Sequence, residues 1–186
     1  MDINQLTRDC QGANIVAQRL LYERYCQQLF TCCKRYVKNT EDAEECLMNG
    51  FIKVFNNILK FEGDGAAQLY AWMKKIMINE CLMHLRKRNL IVFIEIDDNV
   101  DNVSIEPSVL EDINAKEIYA LIQELPAGYK SVFNLYVIDQ LSHKEIASLL
   151  NISEGTSKSQ LNKARAYLKK LFNNQNNINN EFRKRR

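Results

Sequence analysis

Apolar residues recur along this chain at helical rather than strand spacing, and they fall into two groups separated by an acidic stretch. The first helix is predicted from about Asn14 to Val37, with Val16, Leu20, Leu21, Leu29 and Phe30 as its apolar positions. Asn39 and Thr40 read as a turn and cap before a second helix, from about Glu41 to Leu59. Ala43, Leu47, Gly50, Phe51, Val54 and Ile58 make its core face. Two glycines in Phe61-Glu-Gly-Asp-Gly65 would each cost a helix about 1 kcal/mol, so this segment reads as a loop. A third helix follows from about Ala66 to Arg88. Beyond the acidic stretch, helices are expected near Glu111 to Glu124, Gly128 to Asp139, Ser142 to Leu150 and Glu154 to Phe172, with Pro126 breaking the first two.

The last two of these form a helix-turn-helix pattern. Ser142 and Glu145 have the spacing of a capping box, Ile146, Ala147 and Leu150 share one face, Ile152 plugs the turn, and Ser153 is a second cap. On the final helix Leu161, Ala164, Leu168 and Leu171 form the inward stripe. Ser159, Asn162, Lys163, Ala166 and Lys170 point away from it, flanked by Lys158 and Arg165. No carboxylate stands between Glu154 and Phe172, so a phosphate backbone can approach this small, polar, basic face.

Charge distribution sharpens the division. The net charge of the 186 residues is only +2, yet Ser157 to Arg186 holds nine Lys/Arg against one acid, and Leu90 to Ala115 holds seven acids and no base. The expected organisation is all-α: a helical domain over 1–89, an acidic flexible linker over 90–108, a second helical domain over 109–172, and a disordered basic tail over 173–186. No basic-then-apolar secretion signal opens the chain, and no apolar run reaches the roughly twenty residues that span a bilayer. The expected location is the cytoplasm. There the six cysteines would stay reduced. A zinc site from Cys26, Cys32, Cys33 and His84 is conceivable, but core packing suits these spacings better.

Two helices in the first domain carry surfaces that a stand-alone DNA reader does not need. Opposite its core face, the second helix places Glu45, Met48, Ile52 and Phe55, with Asp42 and Asn49 nearby. An acid-rimmed apolar stripe outside the core fits a protein partner, unless a neighbouring helix covers it. The third helix lines up Trp72, Lys75, Asn79 and Arg86. An aromatic ring, an amide and cations together suit single-stranded nucleic acid, although a tryptophan is more often a core residue.

Asp42-Ala-Glu-Glu-Cys-Leu-Met-Asn-Gly-Phe-Ile-Lys-Val-Phe55, Phe61-Glu-Gly-Asp-Gly65 and Ala71-Trp-Met-Lys-Lys-Ile-Met-Ile-Asn79 together resemble region two of bacterial RNA polymerase sigma factors. Leu125-Pro-Ala-Gly-Tyr-Lys-Ser-Val-Phe-Asn-Leu-Tyr136 with the helix-turn-helix resembles their region four. These two regions alone are similar to the extracytoplasmic-function (ECF) group, and Ser-Glu-Gly-Thr-Ser-Lys-Ser-Gln-Leu161 is most similar to members from the Bacteroidetes lineage. The resemblance implies that Asp42, Glu45, Met48, Asn49, Ile52 and Phe55 bind core polymerase. The partners would be core RNA polymerase (clamp of the largest subunit, and flap), promoter DNA, and an anti-sigma factor or another recruiting or inhibiting protein. It implies that the loop over 61–67, with Phe61, Gly63 and Asp64, captures a flipped base of the minus-ten element beside Lys75, Asn79 and Arg86. It implies that Lys158, Ser159, Gln160, Asn162 and Lys163 read the minus-thirty-five element, with Ser142, His143 and Lys144 near phosphates. Gln160 stands where many relatives carry arginine, and His84 where they carry aspartate.

Three classes of function compete at this stage. The leading one is a non-catalytic specificity subunit of polymerase; the alternative is a stand-alone helix-turn-helix regulator with a sensory helical domain. An enzyme finds no support, because no phosphate loop, metal-ligand spacing or nucleophile–base arrangement is present in the sequence. No cofactor, metal or catalytic residue is expected.

Overall fold

The computed structural model describes residues 2–91 and 115–184, and the chain divides into two compact units, Met1–Asn89 and Leu90–Arg186. The expected acidic linker lies, from residue 92 onward, outside the described residues.

The first unit is a four-helix assembly of α1 (Ile3–Gln11), α2 (Ile15–Tyr36), α3 (Thr40–Asn57) and α4 (Gly65–Lys87), with a 3-10 turn over Ile58–Lys60. Side-chain caps set three of the starts: Asp2 accepts from the Gln5 N–H, Asn14 from Ala17 and Asn39 from Asp42. Glu41 and Asp42 add negative charge in the first turn of α3. The inward stripe of α2 steps through Ala17, Leu21, Tyr25, Leu29, Cys33 and Tyr36. Val16 and Leu20, expected inward from their apolarity, each sit one residue (about 100°) off that stripe and are exposed. Every residue assigned to the core face of α3 is buried. They meet Leu69, Met73, Met77 and Cys81 of α4, all fully buried. A Cβ on Gly50 would overlap Met77 Sδ, so this glycine sets the approach of α3 to α4.

Helix α1 has no counterpart in the sequence expectation. Only Leu6, Thr7 and Cys10 are buried on its nine residues, too short a stripe to stand out. Its polar residues matter more. Asn4 Oδ1 accepts from the Gly65 N–H at 2.9 Å, and Gln11 Nε2 donates to the carbonyls of Ile58 and Phe61 at 3.2 and 3.3 Å. The loop between α3 and α4 is held from below by this helix.

The second unit contains α5 (Ala115–Gln123), α6 (Ala127–Phe133), α7 (His143–Leu150) and α8 (Glu154–Lys184). Helix α6 runs on as a π-helical turn over Asn134–Ile138, closed by the Asp139 N–H on the Asn134 carbonyl at 2.9 Å. Ile122, Leu125 and Ala164 are packed by Ile118, Tyr129, Phe133 and Leu168. The capping box of Ser142 and Glu145 is formed, Asn151 turns the chain in the left-handed region at φ 56°, and the Ser153 Oγ accepts from the Thr156 N–H at 2.9 Å. Asparagine tolerates that conformation better than most residues. The run over 173–180, expected to be disordered, is backbone of α8. Neither glycine nor proline follows Gly155 within the helix, so nothing in the chain stops one already nucleated.

Five of the six cysteines are buried, all six are free, and Cys26 is partly exposed. Burial, with the Asp9 charge beside it, pushes the Cys10 thiol up to about 11.

Candidate nucleic-acid and polymerase interfaces

On α3 the stripe opposite the core remains uncovered. Met48 and Ile52 are 52% and 54% exposed, Glu45 and Asn49 are exposed, and Phe55 is half-buried against Phe51 at 5.9 Å between ring centroids. Asp42 is drawn inward instead: its Oδ2 accepts from Arg88 Nη1 at 2.8 Å and lies 3.5 Å from His84 Nε2. Arg88 and His84 come from the end of α4 and the residue capping it, so this network ties the two helices together at the rim of the apolar stripe.

Asp42, Glu45 and His84 bring three potential metal-ligand atoms within 4.8 Å of one another, the one such group among the described residues. Arg88 already occupies the Asp42 oxygen a cation would need. The zinc grouping considered for His84 with Cys26, Cys32 and Cys33 does not form; the histidine faces carboxylates.

Between α3 and α4, on a different face, lies a cavity of about 480 Å3. Trp72, Asn79 and Arg86 line it, joined by Ile76, Glu80, Leu82 and Met83. Lys53, Asn57 and Lys60 enter from the other wall. Sequence reasoning passed over these three because it followed one helix at a time. Their i, i+4, i+7 spacing was the available signal. Trp72 and Phe61 pack with ring centroids 5.3 Å apart and planes tilted by 42°, and Phe61 is buried. A Cβ on Gly63 would overlap the Phe61 ring and crowd Gln68, whose Oε1 accepts from the Asp64 N–H at 3.1 Å. The loop is therefore packed on the aromatic wall of the cavity. Asp64 and Lys75 are exposed, and neither lines the cavity.

On the second unit the outward face of α8 keeps Lys158 exposed and Ser159, Asn162 and Lys163 partly exposed. Gln160 departs from the expectation. It is only 2% exposed, and its Oε1 has no hydrogen-bond partner among the described residues. The inward stripe begins one turn earlier than its first leucine, through Thr156, Ser157 and Gln160, so this amide points into the core and away from any base edge. Ser142 also differs from a phosphate contact: its hydroxyl and its N–H both go to Glu145 Oε2, at 2.6 and 2.8 Å. His143 stacks on Tyr136 at 4.5 Å, and its Nδ1 lies 2.9 Å from Ser157 Oγ. Burial, then the charges of Lys158 and Arg165, lower its pKa, so the ring is neutral at pH 7. It braces α7 against α8. Lys144 stays exposed.

The sigma-70 region 2 model matches residues 21–91, and the sigma-70 region 4 model matches residues 115–168. The chain belongs to the sigma-70 family, in its ECF group. Among curated relatives it is 26% identical over 180 residues to the RNA polymerase sigma-H factor of Pseudomonas aeruginosa, covering 90% of this chain and 92% of that one. It is 26% identical to the ECF sigma factor SigM of Bacillus subtilis, covering 82% and 93%. A solved structure of the sigma factor RpoE with the anti-sigma factor NepR, from Bartonella quintana, shares the fold at TM-score 0.52 and 22% identity, over 83% of this chain and 96% of that one. The sigma regions fall one on each unit, with region 2 carrying the apolar stripe and the cavity.

Proposed function

We propose that this sigma factor brings core RNA polymerase to its promoters through three separate surfaces and helps to open them. One observation carries the assignment: the unit matching region 2 bears both an uncovered apolar stripe and, between α3 and α4, an aromatic-lined cationic cavity. An initiation factor needs one surface for a protein machine and another for DNA. As a DNA-binding initiation factor it is not an enzyme.

Met48, Ile52 and Phe55, rimmed by Asp42, Glu45 and Asn49, dock on the polymerase clamp. The cavity, with Phe61, Gly63 and Asp64 of the loop and Asn79 and Arg86 of α4, receives an extruded minus-ten base while Lys75 attracts nearby phosphates. Extrusion costs a few kcal/mol, which stacking and a fitted pocket offset. Lys158, Ser159, Asn162 and Lys163 face the minus-thirty-five duplex, with Lys144 toward its backbone. The flap of the polymerase is the second protein contact. The factor works in the cytoplasm under an anti-sigma factor or comparable partner, and the Ser-Glu-Gly-Thr-Ser-Lys-Ser-Gln-Leu phrase supports a Bacteroidetes-type subgroup.

Binding of the purified chain to duplex promoter, with and without core polymerase, tests this reading. A sigma factor binds weakly alone and forms a salt-resistant open complex only with core. Nanomolar duplex binding without polymerase would overturn it in favour of a stand-alone regulator.

A further inference from the structure

Three glycines answer to the fold. Gly50 makes room for Met77, Gly63 makes room for the Phe61 ring, and Gly65 sits at φ 77°, where other residues are strained. Gly155 answers to nothing of the kind. It is the second residue of α8, it is exposed, and its φ lies outside the left-handed region. Among the described residues a Cβ built on it would meet only Ser153 Oγ, at 3.6 Å, an ordinary contact. Alanine would fit there and would favour the helix, so the fold supplies no reason for a glycine. The remaining use of a missing side chain is close approach to something outside the chain.

Gly155, Ser159 and Asn162 stand at i, i+4 and i+7, within about 60° of one another on the outward side of α8. Ser159 and Asn162 are partly exposed, with Lys158 and Lys163 to either side. Serine and asparagine are short, so they reach a base edge only when the helix lies deep in the major groove. The Ser159 hydroxyl donates to the Thr156 carbonyl at 3.0 Å, which leaves its lone pairs to accept from a base amino group. Lysine is long and flexible, and it reaches a phosphate from a shallower seat as well. Glu154, exposed beside Gly155, would repel phosphates but can accept from a cytosine amino group, which suits this turn to base edges. A side chain at 155 would meet the groove before its short neighbours could. A lift of about 1 Å carries their contacts beyond hydrogen-bonding distance. Resting on the reading of α8 as the minus-thirty-five helix, we propose that Gly155 is a positioning residue. Its bare backbone sets how deeply α8 seats in the groove, and so whether Ser159 and Asn162 read sequence at all.

The test uses the full chain assembled with core polymerase, unmodified and as Gly155→Ala and Gly155→Leu, both substitutions favouring the helix. A randomised duplex library is selected on each assembly and sequenced, and one duplex of scrambled sequence measures non-specific binding across a salt series. Preference at the minus-thirty-five element should fall about tenfold in Gly155→Leu, the size of one lost base contact, and by less in Gly155→Ala. Preference at the minus-ten element should persist. Non-specific affinity should stay within about twofold with its salt slope unchanged, because the lysines still reach phosphates. Gly155→Ala should unfold at the temperature of the unmodified chain or above it. Undiminished minus-thirty-five preference in Gly155→Leu would overturn the proposal, as would an equal loss of specific and non-specific binding. A lower unfolding temperature in Gly155→Ala would also overturn it, by giving the glycine a role in the fold. Should Gly155→Leu fail to fold by circular dichroism, Gly155→Ala decides alone. If the unmodified assembly holds together yet selects no minus-thirty-five sequence, the reading of α8 falls and the proposal falls with it. Selection by the unmodified chain that survives in both variants sinks only the role of Gly155.

Discussion

Asn4 accepts a hydrogen bond from the Gly65 N–H at 2.9 Å across sixty-one residues of chain. With Gln11 holding the Ile58 and Phe61 carbonyls, it makes α1 the support of the loop beside the α3–α4 cavity. Asn4→Ala should cost about 0.5–1.5 kcal/mol, the net worth of one such bond, and should weaken single-strand binding by the assembled polymerase. Thermal unfolding and strand anisotropy read the two effects. If both stay at the unmodified values, α1 does not hold this loop.

Ile52→Asp should abolish association with core polymerase and leave the fold alone. The side chain is half in water already, so the substitution should change stability by no more than about 0.5 kcal/mol. Leu69→Ala, at a fully buried position of the same unit, should do the reverse in kind: a loss of about 2–5 kcal/mol from cavity formation. Co-purification with core and denaturant melts separate the two. An Ile52→Asp chain that still co-purifies would place the dock elsewhere.

Lys163→Ala should weaken duplex binding for all sequences alike and lower the slope of log K against log salt by about one, as loss of one phosphate contact requires. Gln160→Leu should leave both the slope and the preferred minus-thirty-five sequence unchanged. It removes a buried oxygen that lacks a partner among the described residues, so stability should hold or rise. Binding across a salt series with several duplexes checks both; a shifted preference in Gln160→Leu would return that amide to the DNA face.

The lowered pKa of His143 fixes the sign of a pH effect. Unfolded chain takes up the proton near the ordinary value of 6.5, and the folded chain resists it until lower pH. The neutral ring's contribution is therefore intact above about 6.5 and is lost as pH falls toward the folded pKa. His143→Gln should flatten that part of the profile. Unfolding melts of both chains between pH 7.5 and 5.5, in steps of roughly half a unit, measure the difference. Parallel profiles would show that His143 does not titrate differently on folding.

Thiol labelling under native conditions should reach Cys26 first. It is partly exposed while the other five are buried, and Cys10 also resists ionisation. Mass spectrometry after brief alkylation identifies the site. Modification of Cys81 ahead of Cys26 would contradict this packing.

Much of the second unit was legible because its signals are local. Ser142 and Glu145 lie three residues apart and Ser153 and Thr156 likewise, so a cap can be read from spacing alone. The core face of α3 was legible for the same reason: six small or apolar residues repeat at helical spacing. What stayed hidden depends on a second helix. Lys53 and Asn57 become cavity residues only because α4 packs beside them, and Asp42 leaves the apolar stripe only because Arg88 and His84 reach it from another element.

The order of side chains along the chain determined that there would be helices, where most of them start, and which stripe of α3 would be buried. Helical periodicity and capping are properties of a few neighbouring residues, and they need no knowledge of the rest. Tertiary packing decided that Gln160 turns inward, that α1 props the loop, and that a buried glutamate and a lysine from separate helices meet at 2.6 Å. Those outcomes follow from which helices share a boundary, because desolvation and pairing act between surfaces that only the folded chain brings together.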